Sequence, residues 1–315
     1  TELSTDVNLR TRLNSARFTG SVLASLVGLL LGAALSHKGA AGYWSIGVAA
    51  GAILIVGSLL SAFGLAPAAA QCQRPSQEHR PLLPQLRSLS HNGFFLRVVS
   101  LYLLVWGALQ LMQPVAIIFL SDGLHLPHSW STSLLIPFQI SAMVGIWIWN
   151  QVAAQRSRLL ALQIGGSAWV ILCLITMLLP ALPQGQTPLE PANRTDLALL
   201  LVSLVGLGIS AATAYLLPWA FLPDAVDAEP EHPAGLITAF MVQIQKLGSA
   251  LSVFALGLLL SWSGYNPALN DNQPTSALVM IRLCMGLIPA LLVVASLWVM
   301  RDWNRLLTTK PAAGR

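Results

Sequence analysis

One lysine in this sequence stands where a charged side chain is costly. The run AFMVQIQKLGSALSVFA, from Ala239 to Ala255, contains Lys246 and no other charged residue. Lys246 follows Gly235 by 11 residues, which at about 1.5 Å per helical residue places it roughly 16 Å into a bilayer, close to the midplane. A charge at that depth costs roughly 2.5–3.5 kcal/mol. We therefore expect Lys246 to face a helix-bundle interior or a wet cavity, with an acidic or carbonyl partner.

Two roles are open for Lys246. An intramembrane charge is by default a residue of a substrate or ion pathway. The alternative is a structural ion pair that locks two helices together. Gln243 and Ser249 lie three residues away on either side of Lys246, so they share its helical face and make that face polar.

A second group of charges lies at the predicted inner face of the membrane. The segment PWAFLPDAVDAEPEH carries Asp224 and Asp227, and the turn NQVAAQRSR carries Arg156 and Arg158. We expect these residues to form ion pairs that act in gating. The alternative for the acidic segment is a solvated turn, and for the basic turn a topology signal alone.

Two further arginines border predicted spans. Arg282 lies about six residues into the last span near the outer interface, where it can anchor structure or extend its side chain to water. Arg17 opens the first span on the inner side, where a lone arginine would be an interfacial anchor. None of the 12 acids lies deep in a span. If the chain is a charge-coupled transporter, a class that usually needs intramembrane carboxylates, those groups lie outside this sequence.

The elements that position these residues are membrane helices. The 315 residues are 55% hydrophobic and 9% charged, whereas soluble domains are about a quarter charged. Strand-like alternation is absent, so we expect an all-α polytopic membrane protein. Apolar runs of about 20 residues predict eight spans, at 18–36, 43–65, 94–120, 130–150, 159–180, 195–219, 235–261 and 276–299.

The distribution of lysine and arginine predicts the orientation. With the N-terminal segment inside, 13 of the 17 basic residues face the cytoplasm and two, Lys38 and Arg194, face outward. This positive-inside bias places both ends of the sequence in the cytoplasm. It also accounts for a pI near 9.5 without a nucleic-acid partner. The inside residues are Arg10, Arg12, Arg17, Arg74, Arg80, Arg87, Arg97, Arg156, Arg158, Arg301, Arg305, Lys310 and Arg315.

Enzyme and metal signatures are missing from the sequence. GLGISA, at 206–211, fits a dinucleotide-binding glycine pattern but lies inside a predicted span with no strand before it. No HExxH or GxSxG motif occurs. The three cysteines, Cys72, Cys173 and Cys284, are scattered and predict no metal cluster. We expect no enzyme, no metal and no organic cofactor.

The spans divide into two unequal groups. We predict two spans in 1–65, a cytoplasmic linker at 66–92 rich in Pro, Gln, Ser and Arg, a six-helix bundle at 93–300, and a cytoplasmic tail at 301–315. The sequence begins with a polar stretch at Thr1 and without Met, and we interpret it as a piece of a longer chain.

Four separate stretches resemble one transporter family. RTRLNSAR, at 10–17, resembles the segment before helix five of the glycoside–pentoside–hexuronide:cation symporters, a branch of the major facilitator superfamily. LPDAVDAE resembles that family's Pro-Asp-x-x-Asp loop between helices ten and eleven. GLITAFMVQIQKLGSALS followed by Gly264-Tyr265 resembles helix eleven, and IRLCMGLIPALL resembles helix twelve. The order and spacing fit along the whole chain, which would then hold helices five to twelve of an expected twelve.

The resemblance implies the site and the function. Lys246 matches the helix-eleven lysine beside the substrate and cation sites, and Arg17 matches the helix-five arginine. The helix-ten aromatic that faces the substrate falls at Tyr215 or Trp219. Met241 and Val242 replace polar residues of the melibiose-type permeases. The implied substrate site consists of Lys246, Gln243, Arg17 and the aromatic at Tyr215 or Trp219. Its coupling carboxylates would lie in the four missing helices.

The implied function is symport of a sugar or related small solute, coupled to Na⁺ or H⁺, by alternating access. A lysolipid transporter of the same family and a non-transporting membrane scaffold are the alternatives. We expect a monomer in a plasma membrane, namely the bacterial inner membrane. Its expected partners are a small solute and the lipid bilayer, and we expect no nucleic-acid partner.

Overall fold

A computed structural model describes most of the chain. It covers residues 7–35, 39–71, 92–181, 188–190, 193–227, 234–269, 272–303 and 305. All regular structure in these residues is helical. Because the bilayer interior offers no water to backbone groups, a helix is the element that satisfies N–H and C=O groups within one segment. The predicted all-α polytopic fold is confirmed.

The helices follow the predicted spans, and most of them run longer. Two precede the linker, α1 at Val7–Leu35 and α2 at Gly39–Gln71. The six-helix bundle consists of α3 at Gly93–Ile118, α4 at His128–Gln155, α5 at Arg158–Met177, α6 at Arg194–Asp227, α7 at Ala234–Trp262, and the broken span α8 at Thr275–Met285 and α9 at Leu287–Met300.

Seven stretches of the described helices are long and apolar enough to cross a membrane. They correspond to the last seven of the eight predicted spans. The first predicted span, 18–36, differs because the apolar part described within α1 is the shorter stretch Thr19–Gly32.

The bundle packs around α6 and α3. Helix α6 lies against α3, α4 and α5, and α3 lies against α6, α7 and α9. Helix α1 packs on α4 and more lightly on α6, whereas α2 contacts α1. The core therefore lies among α3 to α9, and α1 forms a wall beside it. The predicted division into bundle and linker stays a prediction, with 72–91 outside the described residues.

Three local features differ from the sequence prediction. Helix α6 continues through Pro218 and Pro223 to Asp227, where a loop was expected. A membrane helix tolerates such prolines when neighbouring groups satisfy the freed carbonyls. Helix α2 extends to Gln71 into the predicted linker. Trp303, placed in the predicted tail, is buried and meets Phe94 with ring centroids 5.4 Å apart, because burying a large indole is favourable.

Candidate functional site

Lys246 lies near the middle of α7, on a face that is exposed in the described structure. Val242 and Gln243, one turn earlier, are exposed on the same side. Lys246 forms no hydrogen bond or ion pair with the part of the chain that the structure describes. The ammonium group is thus available to a substrate, an ion-binding carboxylate or another helix.

The neighbouring turn of α7 connects Lys246 to the bundle interior. Trp106 on α3 donates a 2.8 Å hydrogen bond from Nε1 to Ser249 Oγ. The Ser249 hydroxyl in turn donates to the Gln245 carbonyl oxygen at 2.9 Å. Since Ser249 is one turn from Lys246 on the same face, Trp106 stands beside the lysine. Gly248 allows this approach, because a Cβ there would meet Leu103.

Four aromatic side chains, Tyr102 and Trp106 on α3 with Tyr215 and Trp219 on α6, form what we call the aromatic cluster. Trp106 meets Tyr215 edge-on with ring centroids 5.4 Å apart. Tyr102 contacts Trp106 at 5.7 Å and Trp219 at 5.9 Å. Edge-to-face pairs of this kind favour fixed ring positions. The structure therefore brings Tyr215 and Trp219, both named from the sequence, into one cluster.

Hydrogen bonds hold this cluster in register. Trp219 Nε1 donates to Tyr102 Oη at 3.2 Å, and Gln113 Nε2 donates to Tyr215 Oη at 3.3 Å. Sequence reasoning missed Tyr102, Trp106 and Gln113. Their spacing along α3, four and then seven residues, places them on one helical face and was the available signal.

Gln113, which binds Tyr215 of the aromatic cluster, also lines a cavity of about 220 Å³. Helix α1 forms one wall and the six-helix bundle the others. The lining is mostly apolar and carries no charged side chain. Its lining residues are Ser25, Leu29, Met112, Gln113, Ala116, Leu135, Phe138, Gln139, Leu204 and Met285. Such a space suits an apolar group with a few neutral polar atoms.

Lys246 and the cavity lie at different depths. Trp106, beside Lys246, precedes the cavity residue Gln113 by seven residues on α3, or about 10 Å along the helix axis. The two are connected through Trp106, Tyr215 and Gln113 by the contacts given above. A ligand that reached both would need a polar end and an apolar part about two helical turns apart.

An ion pair joins α5 and α6 at the end of the bundle predicted to face the cytoplasm. Arg158 Nη2 lies 3.1 Å from Asp224 Oδ1 and 3.0 Å from Oδ2. Arg158 Nη1 also donates to the Ala220 carbonyl oxygen, and its guanidinium lies 5.6 Å from the centroid of the Phe221 ring. All of these Arg158 contacts lie within about one and a half turns of α6, from Ala220 to Asp224.

The other two residues of the predicted inner-face pairs are placed differently. Arg156 ends α4 and is exposed. Asp227 is the last residue of α6, and its side chain lies outside the described residues. Arg17 lies in α1, and its side chain is also outside them. The structure therefore pairs one of the two predicted arginines with one of the two acids.

Arg282 joins three segments at the opposite end of the bundle. Its Nη1 donates to the carbonyl oxygens of Met177 at 3.0 Å and Leu179 at 2.7 Å, beyond the last turn of α5. Its Nη2 donates to the Gly123 carbonyl oxygen at 3.3 Å, which ends the π-helical turn Phe119–Gly123. A cation at helix C-termini is favourable because the carbonyl ends carry partial negative charge.

Asp122 in the same π-helical turn is linked to the loop after α7. Tyr265 Oη donates to Asp122 Oδ2 at 2.9 Å, and Ser121 Oγ donates to Oδ1 at 2.6 Å. Burial first, and then the hydrogen bond and charge of Asp122, raise the pKa of Tyr265 to about 12. Tyr265 therefore stays a hydrogen-bond donor across the physiological pH range. Among the described residues, no group of three His, Cys, Asp or Glu side chains could hold a metal ion.

Comparison with known proteins points to membrane transport. A family model described as "MFS/sugar transport protein" matches residues 1–303. The chain is 29% identical over 228 residues to an uncharacterized symporter of Synechocystis sp., covering 70% of this chain and 40% of that protein.

Two animal transporters are also similar. The chain is 21% identical over 253 residues to a sodium-dependent lysophosphatidylcholine symporter of Gallus gallus, covering 78% of this chain and 45% of that protein. It is 24% identical over 226 residues to a sphingosine-1-phosphate transporter of Xenopus tropicalis, covering 70% of this chain and 41% of that protein. The chain thus spans less than half the length of each of these relatives.

Proposed function

The chain belongs to the MFS/sugar transport protein family, and we propose that it is part of a cation-coupled symporter working by alternating access. It is a multi-pass membrane protein whose family and relatives are transporters rather than enzymes. Transporters of this kind place their site near the bilayer midplane between two bundles that rock around it. Lys246 lies near the middle of α7, which would place it at that depth if α7 spans the bilayer.

We propose Na⁺ as the coupling ion and Lys246 as the electrostatic partner of the carboxylates that bind it. The proposal is supported by the sodium dependence in the names of the lysophosphatidylcholine symporters. It is also supported by the exposed ammonium group, which has no partner among the described residues. H⁺ is the alternative coupling ion.

For the substrate we propose a single-chain amphiphile with a charged head group. The observation that carries this choice is the pairing of an exposed ammonium with an apolar cavity about two helical turns away. An anionic or zwitterionic head would lie near Lys246 and Gln243, and the chain would occupy the cavity. Arg17 is proposed as a further contact of the head only from its match to the helix-five arginine. The names of the similar animal transporters, which carry lysophosphatidylcholine and sphingosine-1-phosphate, support the same class.

A sugar is the second candidate substrate. The family resemblance favours it, because Tyr215 or Trp219 matches the aromatic that faces the substrate in the related permeases, although both rings are buried in the aromatic cluster. A cavity with three polar lining residues, Ser25, Gln113 and Gln139, offers few partners for the many hydroxyl groups of a sugar. A scaffold that retained the fold without transport is the third candidate, in which Lys246 forms a structural ion pair.

We further propose that Asp224, Asp227, Arg156 and Arg158 act in gating at the inner face. The Arg158–Asp224 contact supports this role because it joins α5 and α6 at the end of the bundle predicted to face the cytoplasm. The proposed location is the bacterial plasma membrane, with both ends of this chain in the cytoplasm and the protein a monomer.

A flux assay tests these proposals. The full-length protein would be reconstituted in proteoliposomes and given a lysolipid or a sugar under an imposed Na⁺ or H⁺ gradient. We expect Na⁺-dependent lysolipid uptake that Lys246→Ala abolishes and Lys246→Arg partly retains, with unchanged insertion of both variants in the membrane. Normal Na⁺-dependent uptake by Lys246→Ala would exclude the proposed role of the lysine.

The other outcomes separate the candidates. Sugar uptake without lysolipid uptake would favour the second candidate. No flux of either solute, with a loss of stability in Lys246→Ala, would favour the scaffold.

A further inference from the structure

Gln139 is a buried polar residue that the site described so far does not use. It lies on α4, is 8% exposed and lines the cavity beside α1. Its carboxamide forms no hydrogen bond with the residues that the structure describes. Its amide atoms are not among the fully buried polar atoms without a partner, so they keep access to the cavity, and a ligand that covered them without pairing them would be disfavoured. The cavity is where a partner for Gln139 can be supplied.

The backbone around Gln139 is held rigidly. Ser141 Oγ donates to the Phe138 carbonyl oxygen at 2.8 Å. Helix α6 approaches at Gly208, where a Cβ would meet both Ser141 Oγ and the Phe138 carbonyl oxygen. The close crossing of α4 and α6 thus fixes the turn that carries Gln139. The Cα of Gln139 thus keeps its place in the cavity wall, and its carboxamide, which forms no hydrogen bond with the described residues, can turn toward a ligand group.

The other two polar lining residues already have partners. Gln113 Nε2 donates to Tyr215 Oη at 3.3 Å, and Ser25 Oγ donates to the Ser21 carbonyl oxygen at 3.1 Å. Gln139 is therefore the lining residue whose donor and acceptor are both available. No charged side chain lines the cavity, so a charged ligand group there would lack a counter-charge.

We propose that Gln139 is a specificity-determining residue that hydrogen-bonds a free hydroxyl group near the start of the substrate's apolar chain. A carboxamide both donates and accepts, and a hydroxyl group does the same, so each satisfies the other. An ether or a second acyl chain at that position would leave the Gln139 N–H or C=O group unpaired and would also need more room. This inference rests on the proposed transport of single-chain amphiphiles and specifies which part of the substrate is recognised.

The test compares two ligands that differ in one hydrogen-bonding group. Full-length protein in proteoliposomes would be given a lysophospholipid with a free glycerol hydroxyl, or its methyl ether, under a Na⁺ gradient. Leaving a buried amide unpaired predicts a preference for the hydroxyl form of roughly tenfold in initial uptake rate at limiting substrate. Gln139→Met, which keeps the length of the side chain, should reduce this preference to near unity by lowering uptake of the hydroxyl form.

A matched control uses the same substitution on an exposed residue. Gln163→Met, on the exposed face of α5, should keep the full preference for the hydroxyl form. Equal uptake of the two ligands by the wild type would overturn the inference, and this comparison does not depend on whether any variant folds. An undiminished preference in a folded Gln139→Met variant would also overturn it.

Failure of the inference and failure of the proposed function give different results. Lysolipid uptake without discrimination would refute the role of Gln139 and leave the symporter proposal standing. No uptake of either lysolipid by the wild type would refute the proposed substrate, and the role of Gln139 with it.

Discussion

Three charged side chains of this protein differ in what surrounds them. Arg282 donates to carbonyl oxygens of Met177, Leu179 and Gly123, and Arg158 is bound by Asp224 and the Ala220 carbonyl. Lys246 alone of the three has no such contact within the described part of the chain. Two of these charges therefore hold helices together, whereas the third is available for a ligand or an ion site.

The sequence identified these charges but could not supply their partners. A charge in an apolar run is conspicuous, so Lys246 and Arg282 were found directly. Backbone carbonyls are present in every residue and mark nothing in a sequence. Gln139 and Trp106 were missed for the same reason, because a neutral polar or aromatic residue is common in membrane helices and only the folded arrangement shows its role.

The substitution Arg282→Gln tests the structural role of that guanidinium. Charge-assisted hydrogen bonds are worth about 1.5–3 kcal/mol each, and a glutamine amide cannot reach three carbonyls. Allowing for non-additivity, we expect a loss of about 2–5 kcal/mol in the free energy of unfolding. The melting temperature in detergent measures it.

Arg305→Gln is the control for this change. Arg305 is 88% exposed and lies 3.7 Å from Asp302, a surface pair worth at most about 1 kcal/mol. We expect Arg305→Gln to melt close to the wild type. If Arg282→Gln melted at the same temperature as Arg305→Gln, Arg282 would not be holding the three segments together.

At the scale of the helices, small residues set how closely two elements approach. Trp149 Nε1 donates to the Ile209 carbonyl oxygen at 2.7 Å across the crossing of α4 and α6. Gly145 and Gly208 bring the two backbones together there. Gly208 belongs to the GLGISA run, which resembled a nucleotide motif by composition. Its glycines serve helix packing, a common use of small residues in membrane helices.

The helix ends were less predictable than the helix interiors. Helix α6 runs on to Asp227 because Arg158 binds its last turns, and that contact joins residues far apart in sequence. The hydropathy of the sequence falls where the polar residues begin, so the predicted span ended at 219, eight residues before the helix ends. The apolar interiors of seven of the eight predicted spans match membrane-length helical stretches, and the break of the last one at Gly286 was not predicted.

Gly208→Val tests the crossing of α4 and α6. The added side chain would collide with the Phe138 backbone and with Ser141, neither of which is a flexible chain end. Overpacking costs about 1–3 kcal/mol, so we expect a lower melting temperature and weaker discrimination at Gln139. Gly257→Val is the control, since nothing lies within 4 Å of a Cβ at Gly257. Equal melting of the two variants would contradict a tight crossing.

For the whole molecule, the sequence predicted the fold class but could not define the substrate site. Hydropathy and the family motifs led to an all-helical membrane protein of a transporter family, and the family match confirms that membership. The cavity is lined by α1, α3, α4, α6 and α8, so its shape depends on how separate helices pack. The similarity of relatives that carry different solutes shows why the fold alone does not identify the substrate.

The basic residues predict the orientation of the whole molecule, and this prediction can be tested at both ends of the bundle. Gln155 ends α4 beside Arg156 and Arg158, and Ala268 lies in the loop after α7. Both are exposed. The positive-inside rule places Gln155 in the cytoplasm and Ala268 outside.

Single cysteines at these two positions, in full-length protein with the other cysteines replaced, provide the measurement. A membrane-impermeant maleimide should label Ala268→Cys in intact cells and Gln155→Cys only after permeabilisation. The reverse pattern would invert the protein and move the Arg158–Asp224 pair to the outer face. Labelling of both sites in intact cells would place Gln155 and Ala268 on the same side of the membrane, which the three spans between them, α5, α6 and α7, do not allow.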